Sequence, residues 1–364
     1  MRQTLLDIKK SPELQIEVVA TGMHLMPEFG RTLEDIKRDE FKIHKIGATY
    51  IKDDKSSMVR FIGDFLLLLT KKLKKIKPEI IMVLGDRAEM LAGAVAGAYL
   101  TIPVAHIHGG DTTSTVDESS RHAITKFSHI HFPPTEKAKE RIIKMGEDPC
   151  RVFTVGAVAL DGIFRQKLLS RRGLSKKYGL DKSSPFLLVV QHPVTTEVKD
   201  APGQIKKTLE AVKDSGSQAV VIYPNADAGG RKMIKVIEKY RKYPSFKIYK
   251  SIPYRDYLSL MAAAGAILGN SSSGIVEAPS FALPSINIGR RQGRRQRAAN
   301  VIDVGYCKEQ IKRAIDKVLN DKKFRAKLKK SPNPYGDGKA GERIVKILKK
   351  IKIDDRLLQK QITY

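Results

Sequence analysis

Ile80-Ile81-Met82-Val83-Leu84-Gly85-Asp86-Arg87 and Pro103-Val104-Ala105-His106-Ile107-His108-Gly109-Gly110-Asp111 are the two stretches whose reading decides the fold. Each is a short, largely apolar run rich in branched side chains that ends in glycine and an acid. Such a run, without strict polar alternation, reads as a strand covered on both faces. The segment between them, Glu89–Leu100, carries a helical pattern. Strand, helix and strand in that order predict a parallel pair joined by a right-handed crossover. In an open sheet of this kind, chemistry collects beyond the carboxyl ends of the strands. Gly85-Asp86-Arg87 and His106–Asp111 fall there, and Asp117-Glu118-Ser119-Ser120-Arg121-His122 opens the next helix.

Outward from this core the alternation continues and runs twice. Ile16–Ala20, Ile130–Phe132 and Val152–Val155 are further strand candidates in the first half, with helices at Met58–Ile76, Glu118–Phe127 and Thr135–Met145. After Gly156–Gly162 and a polar, basic stretch (Gln166–Ser184), a second series begins. Its strands are expected at Phe186–Val190, Ala219–Ile222, Phe246–Tyr249, Ala266–Leu268 and Ser285–Ile288. Helices are expected at Gln204–Asp214, Arg231–Tyr240 and Asp256–Ala264. The expected fold class is α/β, with two Rossmann-like, doubly wound domains facing a cleft. Residues 1–164 form the first domain and residues 165–340 the second, with the closing helix in 341–364 crossing back to the first.

Bulk properties narrow the partners. The chain has 364 residues and a formal net charge of +28, from 67 basic and 39 acidic side chains. Its lysines scatter along helical segments such as Lys71–Lys77 and Lys322–Lys330, without aromatic interleaving, so a solvated cationic surface is expected rather than a nucleic-acid site. No stretch has the length and apolarity of a membrane span or the pattern of a signal peptide, which predicts a cytoplasmic protein without membrane contact. Cys150 and Cys307 lack metal-ligand spacing and read as reduced structural thiols.

Two groups in the second half suit an anionic ligand. Gly269-Asn270-Ser271-Ser272-Ser273-Gly274 follows a strand and opens a helix expected to carry Glu277. Backbone N–H groups, hydroxyls and the positive end of a helix dipole suit a diphosphate, and Glu277 suits ribose hydroxyls. His192-Pro193 stands at another strand end. Arg290, Arg291, Arg294, Arg295 and Arg297 crowd the loop after Ser285–Ile288, where guanidinium forks match oxyanions.

These residues together resemble the UDP-N-acetylglucosamine 2-epimerase family, over nearly the whole chain. The resemblance rests on Thr21-Gly22-Met23-His24-Leu25, Gly85-Asp86-Arg87, His106–Asp111, Asp117–His122, His192-Pro193, Gly269–Pro279 and Asn300-Val301-Ile302. Gly-Asp-Arg, the Gly-Gly-acid turn and Arg121-His122-Ala123-Ile124-Thr125-Lys126 are similar to the hydrolysing branch rather than the non-hydrolysing one. The resemblance implies the GT-B architecture and no cofactor. It also implies conversion of UDP-N-acetylglucosamine, or a close UDP-acetamido sugar, to UDP and an N-acetylmannosamine-type product feeding sialic-acid-type sugars. Elimination of UDP gives a glycal, and water then adds with inversion at the second carbon. Asp86 and Asp117 are the implied acid/base groups, with Glu118 and Asp111 behind them, and His192 contacts the diphosphate or shuttles a proton. Ser271, Ser272, Ser273, Gly274, Glu277 and Arg291 are implied to hold UDP, Arg87 and Arg121 to order the site, and His24 to touch the sugar. Hydrolysing relatives carry a glutamate where His108 stands. Asp111 then takes that role, or His108 is itself the acid, or the substrate is a different sugar such as a diacetamido one. The family also places a strand and an arginine-bearing turn ahead of the helix in which this sequence begins, so that strand is expected to be lacking here. A homodimer or tetramer is expected.

Four rival readings remain open at this point. A non-hydrolysing epimerase would return a UDP-sugar, and a GT-B glycosyltransferase would need an acceptor. A zinc hydrolase would use His106, His108, Asp111 and His122, although the epimerase reading needs no metal. A nucleic-acid-binding protein would explain the charge but not the carboxylates at the strand ends.

Overall fold

The computed structural model describes residues 1–30, 32–113 and 116–363. The chain opens in a helix, Arg2–Lys10, then largely alternates strand and helix as far as a strand at Val301–Val304, after which only helices follow among the described residues. The strands of the first half are β1 (Glu17–Ala20), β2 (Lys42–Lys45), β3 (Ile81–Leu84), β4 (Val104–Ile107) and β5 (Ile130–Phe132). Those of the second half are β6 (Phe186–Val190), β7 (Gln218–Ile222), β8 (Phe246–Tyr249), β9 (Ala266–Gly269), β10 (Ser285–Ile288) and β11 (Val301–Val304). Every strand pairing is parallel.

The second half is one six-stranded sheet in the order β11-β10-β9-β6-β7-β8. Phe186-Leu187-Leu188-Val189-Val190 is buried at every position, as a strand covered by helices on both faces must be. From β6 the chain winds outward through β7 and β8, then returns to β9 on its other side. The β6–β9 border is therefore the topological switch point, and their register brings Val190 opposite Gly269.

The first-half strands form two sheets, β1-β2 and β3-β4-β5, rather than one. Val19 of β1 and Ile81 of β3 both pack on the aromatic cluster Tyr50, Phe61 and Phe65 beneath helix Lys55–Ile76, but their strands do not pair. Asp54 starts that helix by accepting from the Ser57 amide (2.7 Å), and Lys77 ends it in a left-handed conformation. Val152–Val155 is not a strand. Val152 makes an isolated bridge to His131, and Phe153 and Val155 donate to His131 and Pro133 carbonyls before the chain turns at Gly156. The basic stretch after residue 165 holds an ordered helix, Arg171–Tyr178, capped by Ser170.

The C-terminal part lies on the first-half sheets. Helix Ala340–Leu348 packs along helix Arg2–Lys10, and Ile344 joins Ala105, Ile107, Ile130 and Phe132 in one core cluster. Buried Asp161 receives the Ala340 and Gly341 amides at 2.9 and 2.6 Å. Beyond it, Lys360 donates to the Thr125 and Ser128 carbonyls at the end of helix Val116–Phe127 and pairs with buried Glu147. Cys150 and Cys307 are both exposed, so neither is a core thiol. Among the described residues no helix is long and apolar enough to cross a membrane.

Candidate active site

The turns after β3 and β4 face those after β6, β9 and β10. Thr112 Oγ1 donates to the Arg294 carbonyl at 2.7 Å, and Arg295 reaches Asp111 at 2.9 Å. Arg291 reaches Asp117 at 3.2 Å, and Arg87 lies 3.5 Å from Asp227. Each of these contacts joins residues far apart in the chain and brackets one interior.

On the first-half side, Gly85 takes a left-handed conformation (φ 74°) that turns the chain sharply after β3 and presents Asp86. Asp86 pairs with Arg121, whose side chain is only 1% exposed. Arg121 also donates to the Asp111 carbonyl at 3.0 Å, so one guanidinium ties the β3 and β4 turns to helix Val116–Phe127. Burial raises the Asp86 carboxyl, but Arg121, Arg295 and Arg291 outweigh it and hold the group below the ordinary range. Asp111 is bound by Arg295, and both side chains are nearly buried. Glu118 is turned back on its own loop, accepting from the Thr113 amide at 2.9 Å, with His122 at 3.6 Å.

The histidines divide by environment. His106 is fully buried and uses both ring nitrogens, on Thr125 (3.1 Å) and the Gly85 carbonyl (2.8 Å). It braces the β3 turn and has no nitrogen left for a metal. Among the described residues no group of three or more His, Cys, Asp or Glu is placed to hold one. His108 sits in the left-handed region at φ 64°, its amide donating to Phe132 and its Nε2 buried without a partner. Burial pushes its imidazole down to about 4 despite Asp111 nearby, so at neutral pH it is uncharged and supplies no imidazolium proton. His24 is exposed, bonded to Thr32 at 2.7 Å.

On the second-half side Asn270 is the keystone. It is fully buried, accepts the His192 amide (2.7 Å), donates to the His192 carbonyl (2.9 Å), and its own carbonyl receives Arg291 and Gln292. His192 Nδ1 accepts the Asn225 amide at 3.1 Å, which puts the ring hydrogen on Nε2. Burial, then Arg291 and Arg87, push this imidazole down to about 3. His192 is thus a neutral donor, suited to an oxyanion but not to carrying a proton back and forth at neutral pH.

Ser271, Ser272 and Ser273 line the turn after β9, and Gly274 fits because a Cβ there would lie 2.4 Å from Ser285 Oγ. The helix they open is a single turn, Ser273–Val276, and Glu277 is its C-cap rather than part of a long helix. Pro279 has no N–H with which to extend the α-helix, and the chain tightens into a 3-10 turn over Ala278–Phe281. A single turn carries little macrodipole, so anion affinity here falls to amides, hydroxyls and arginines. Burial raises the Glu277 carboxyl, favouring its protonated form. Of the five arginines, Arg290 pairs with Glu197 and Arg297 with Asp303, while Arg291 and Arg295 reach across to the first-half acids.

Arg87 is drawn to the other rim of the interior, near Glu89 (3.4 Å), the Tyr50 hydroxyl (3.5 Å) and Asp227, and not to Asp86. Asn270, Asn225, Asp227, Glu89 and Tyr50 escaped the sequence reading as individual contributors. Asn270 alone carried a signal, as the first polar residue after β9.

A pair of facing parallel α/β units with phosphate-suited turns at one switch point, and acids opposite them, defines an enzyme of the nucleotide-sugar class. The comparisons with known proteins carry this further. The family model described as UDP-N-acetylglucosamine 2-epimerase matches residues 6–349. The chain belongs to that family. It is 39% identical to UDP-N,N'-diacetylbacillosamine 2-epimerase (hydrolyzing) of Legionella pneumophila, across 100% of this chain and 96% of that one. It is 36% identical to GDP/UDP-N,N'-diacetylbacillosamine 2-epimerase (hydrolyzing) of Campylobacter jejuni, across 83% of this chain and 80% of that one. The crystal structure of the UDP-GlcNAc 2-epimerase of Neisseria meningitidis bound to UDP-GlcNAc superposes with a TM-score of 0.72 at 19% identity, covering 92% of this chain and 100% of that one. The GT-B fold expected from the sequence is the fold of this chain, and both curated relatives carry the hydrolysing name that the motifs resemble.

Proposed function

We propose that this protein is a hydrolysing 2-epimerase of UDP-linked 2-acetamido sugars, releasing UDP and the free 2-epimeric sugar. The observation that carries the reading is the meeting of Asp86, Asp111 and Asp117 with Arg291 and Arg295 at the facing strand ends. Residues 1–164 supply the sugar side and residues 165–340 the UDP side. Asp117 and Asp86 serve as the acid/base pair, one taking the proton from the second carbon and one assisting departure of UDP from the first. Loss of that proton and of UDP leaves a glycal. Water then donates its oxygen to the first carbon, and a proton returns to the second on the opposite face. Arg291, Ser271, Ser272, Ser273 and the Nε2–H of His192 stabilise charge gathering on the leaving diphosphate, and Glu277 holds the ribose. Arg121 fixes Asp86, and Arg87 fixes the opposite rim. Glu118, which faces its own loop, positions the start of helix Val116–Phe127.

The sugar is the finer question. Both relatives named above act, by name, on a diacetylated amino sugar, which favours a UDP-diacetamido sugar over UDP-N-acetylglucosamine. His108, neutral and with an open buried Nε2, fits a site reading an amide rather than supplying a carboxylate. The test is incubation with each UDP-sugar in deuterated water, followed by NMR. Free UDP plus 2-epimeric sugar deuterated at the second carbon is expected, faster from the diacetamido substrate. Deuterated UDP-sugar without free UDP would replace this reading with the non-hydrolysing one, and no turnover of either substrate would refute both.

A further inference from the structure

Gln292 lies in the loop after β10, is 1% exposed, and uses both ends of its amide. Its Nε2 donates to the Asn270 carbonyl at 3.1 Å, and its Oε1 accepts from Arg295 Nη1 at 3.1 Å. Its backbone carbonyl receives Arg297 at 3.0 Å, so main chain and side chain are both fixed. One side chain thereby links the turn after β9, on the UDP side, to the arginine that crosses to Asp111.

From Arg295 the polar contacts continue without a gap. Its Nε and Nη2 reach the Asp111 carboxylate at 3.1 and 2.9 Å. The Asp111 carbonyl takes Arg121 at 3.0 Å, and Arg121 pairs with Asp86. Packing alone does not account for a glutamine at the head of this chain. The Asn270 carbonyl already has Arg291 at 3.3 Å and does not need a second donor to be satisfied. An apolar side chain of the same length would fill the space without two buried polar ends, each costly unless paired. What the amide adds is direction. A guanidinium is planar, and holding Nη1 as well as the edge that faces Asp111 fixes the plane of the fork.

We infer that Gln292 is a positioning residue: by orienting Arg295 it sets Asp111 and, through Arg121, Asp86 against the sugar while the adjoining turn holds UDP. The inference rests on the acid/base reading of the site proposed above.

Steady-state release of UDP and calorimetric titration with UDP, both on the full chain, test it. Gln292→Met keeps the length and removes both polar ends. Its kcat is expected to fall about 10²-fold, the effect of a reacting group displaced by about 1 Å, with KM and the Kd for UDP within about twofold of wild type. Arg295→Lys keeps a charge beside Asp111 but lacks the fork that reaches Gln292, and is expected to lose kcat to a similar extent. The two losses share one cause, so Gln292→Met added to Arg295→Lys is expected to lower kcat by less than about twofold more, whereas a glutamine that only fills the core would multiply the losses. An active wild type in which Gln292→Met keeps its kcat, weakens UDP binding instead, or multiplies with Arg295→Lys overturns the inference and leaves the epimerase reading standing. A wild type that binds UDP in the calorimeter but releases none from any UDP-acetamido sugar overturns that reading, and this inference with it.

Discussion

Asp86→Asn separates the two things Asp86 does. The substitution keeps the size of the side chain and removes its charge. Arg121, 1% exposed, then keeps only neutral acceptors, the Asp111 carbonyl at 3.0 Å and Thr113 Oγ1 at 3.4 Å. Breaking a buried ion pair from one side typically costs ~3–5 kcal/mol. The lower end, about 3 kcal/mol, applies here, because Asp86 is 23% exposed and Arg121 keeps those acceptors. Urea unfolding followed by circular dichroism at neutral pH measures it. The pH dependence has a definite sign. The folded carboxyl lies below its unfolded value of ~3.9, so its stabilisation is complete above that pH and lost as pH falls through the folded value. The variant should therefore lack part of the wild-type acid slope. Turnover at saturating substrate should fall roughly 10²–10⁴-fold, the range of a lost acid/base group. A variant within about 1 kcal/mol of wild type, with wild-type turnover, would refute both the ion-pair accounting and the assigned role.

Two further expectations rest on the packing. Gly269 stands at φ 125° with its Cβ position 2.1 Å from the Val190 carbonyl, so Gly269→Ala should force β9 off β6 and cost at least about 3 kcal/mol, read as lost soluble yield and a lowered unfolding temperature. Burial raises the Glu147 carboxyl, but hydrogen bonds from His131, Lys126 and Lys360 bring it down to about 2. Its stabilisation is full above an unfolded value of ~4.3 and lost as pH falls toward about 2, so Glu147→Gln should flatten that limb and speed proteolysis of residues 355–363; an unchanged acid limb would count against it.

What could be read from sequence follows burial. β4 and β6 are covered on both faces and announce themselves as apolar runs, as do the glycine-acid turns that end β3 and β4. β2, Lys42-Ile43-His44-Lys45, and β11 are edge strands with exposed positions, and neither gives a strong period. Val152–Val155 has strand composition but only one bridge, a distinction set by its neighbours. In the site, the residue types were legible because turns after strands carry them. Their pairings were not: Arg291 and Asp117 lie 174 positions apart, and nothing local separates Arg291 from Arg290, which turns to Glu197. The short α-helix at Ser273 was foreseeable from Pro279, which has no N–H to extend it.

The return of helix Ala340–Leu348 to helix Arg2–Lys10 has a consequence for biosynthesis. Helix Arg2–Lys10 finds its partner, Ala340–Leu348, only after more than three hundred further residues are made, and the Thr125 and Ser128 carbonyls wait more than two hundred for Lys360. At ~5–20 residues per second that interval is roughly 15–65 s, during which the second-half sheet, closed within its own sequence span, can fold on leaving the ribosome. The first-half core, with part of its apolar surface uncovered, must wait. On the ribosome the usual order is reversed: the first-half core is made before the second-half sheet and completed after it.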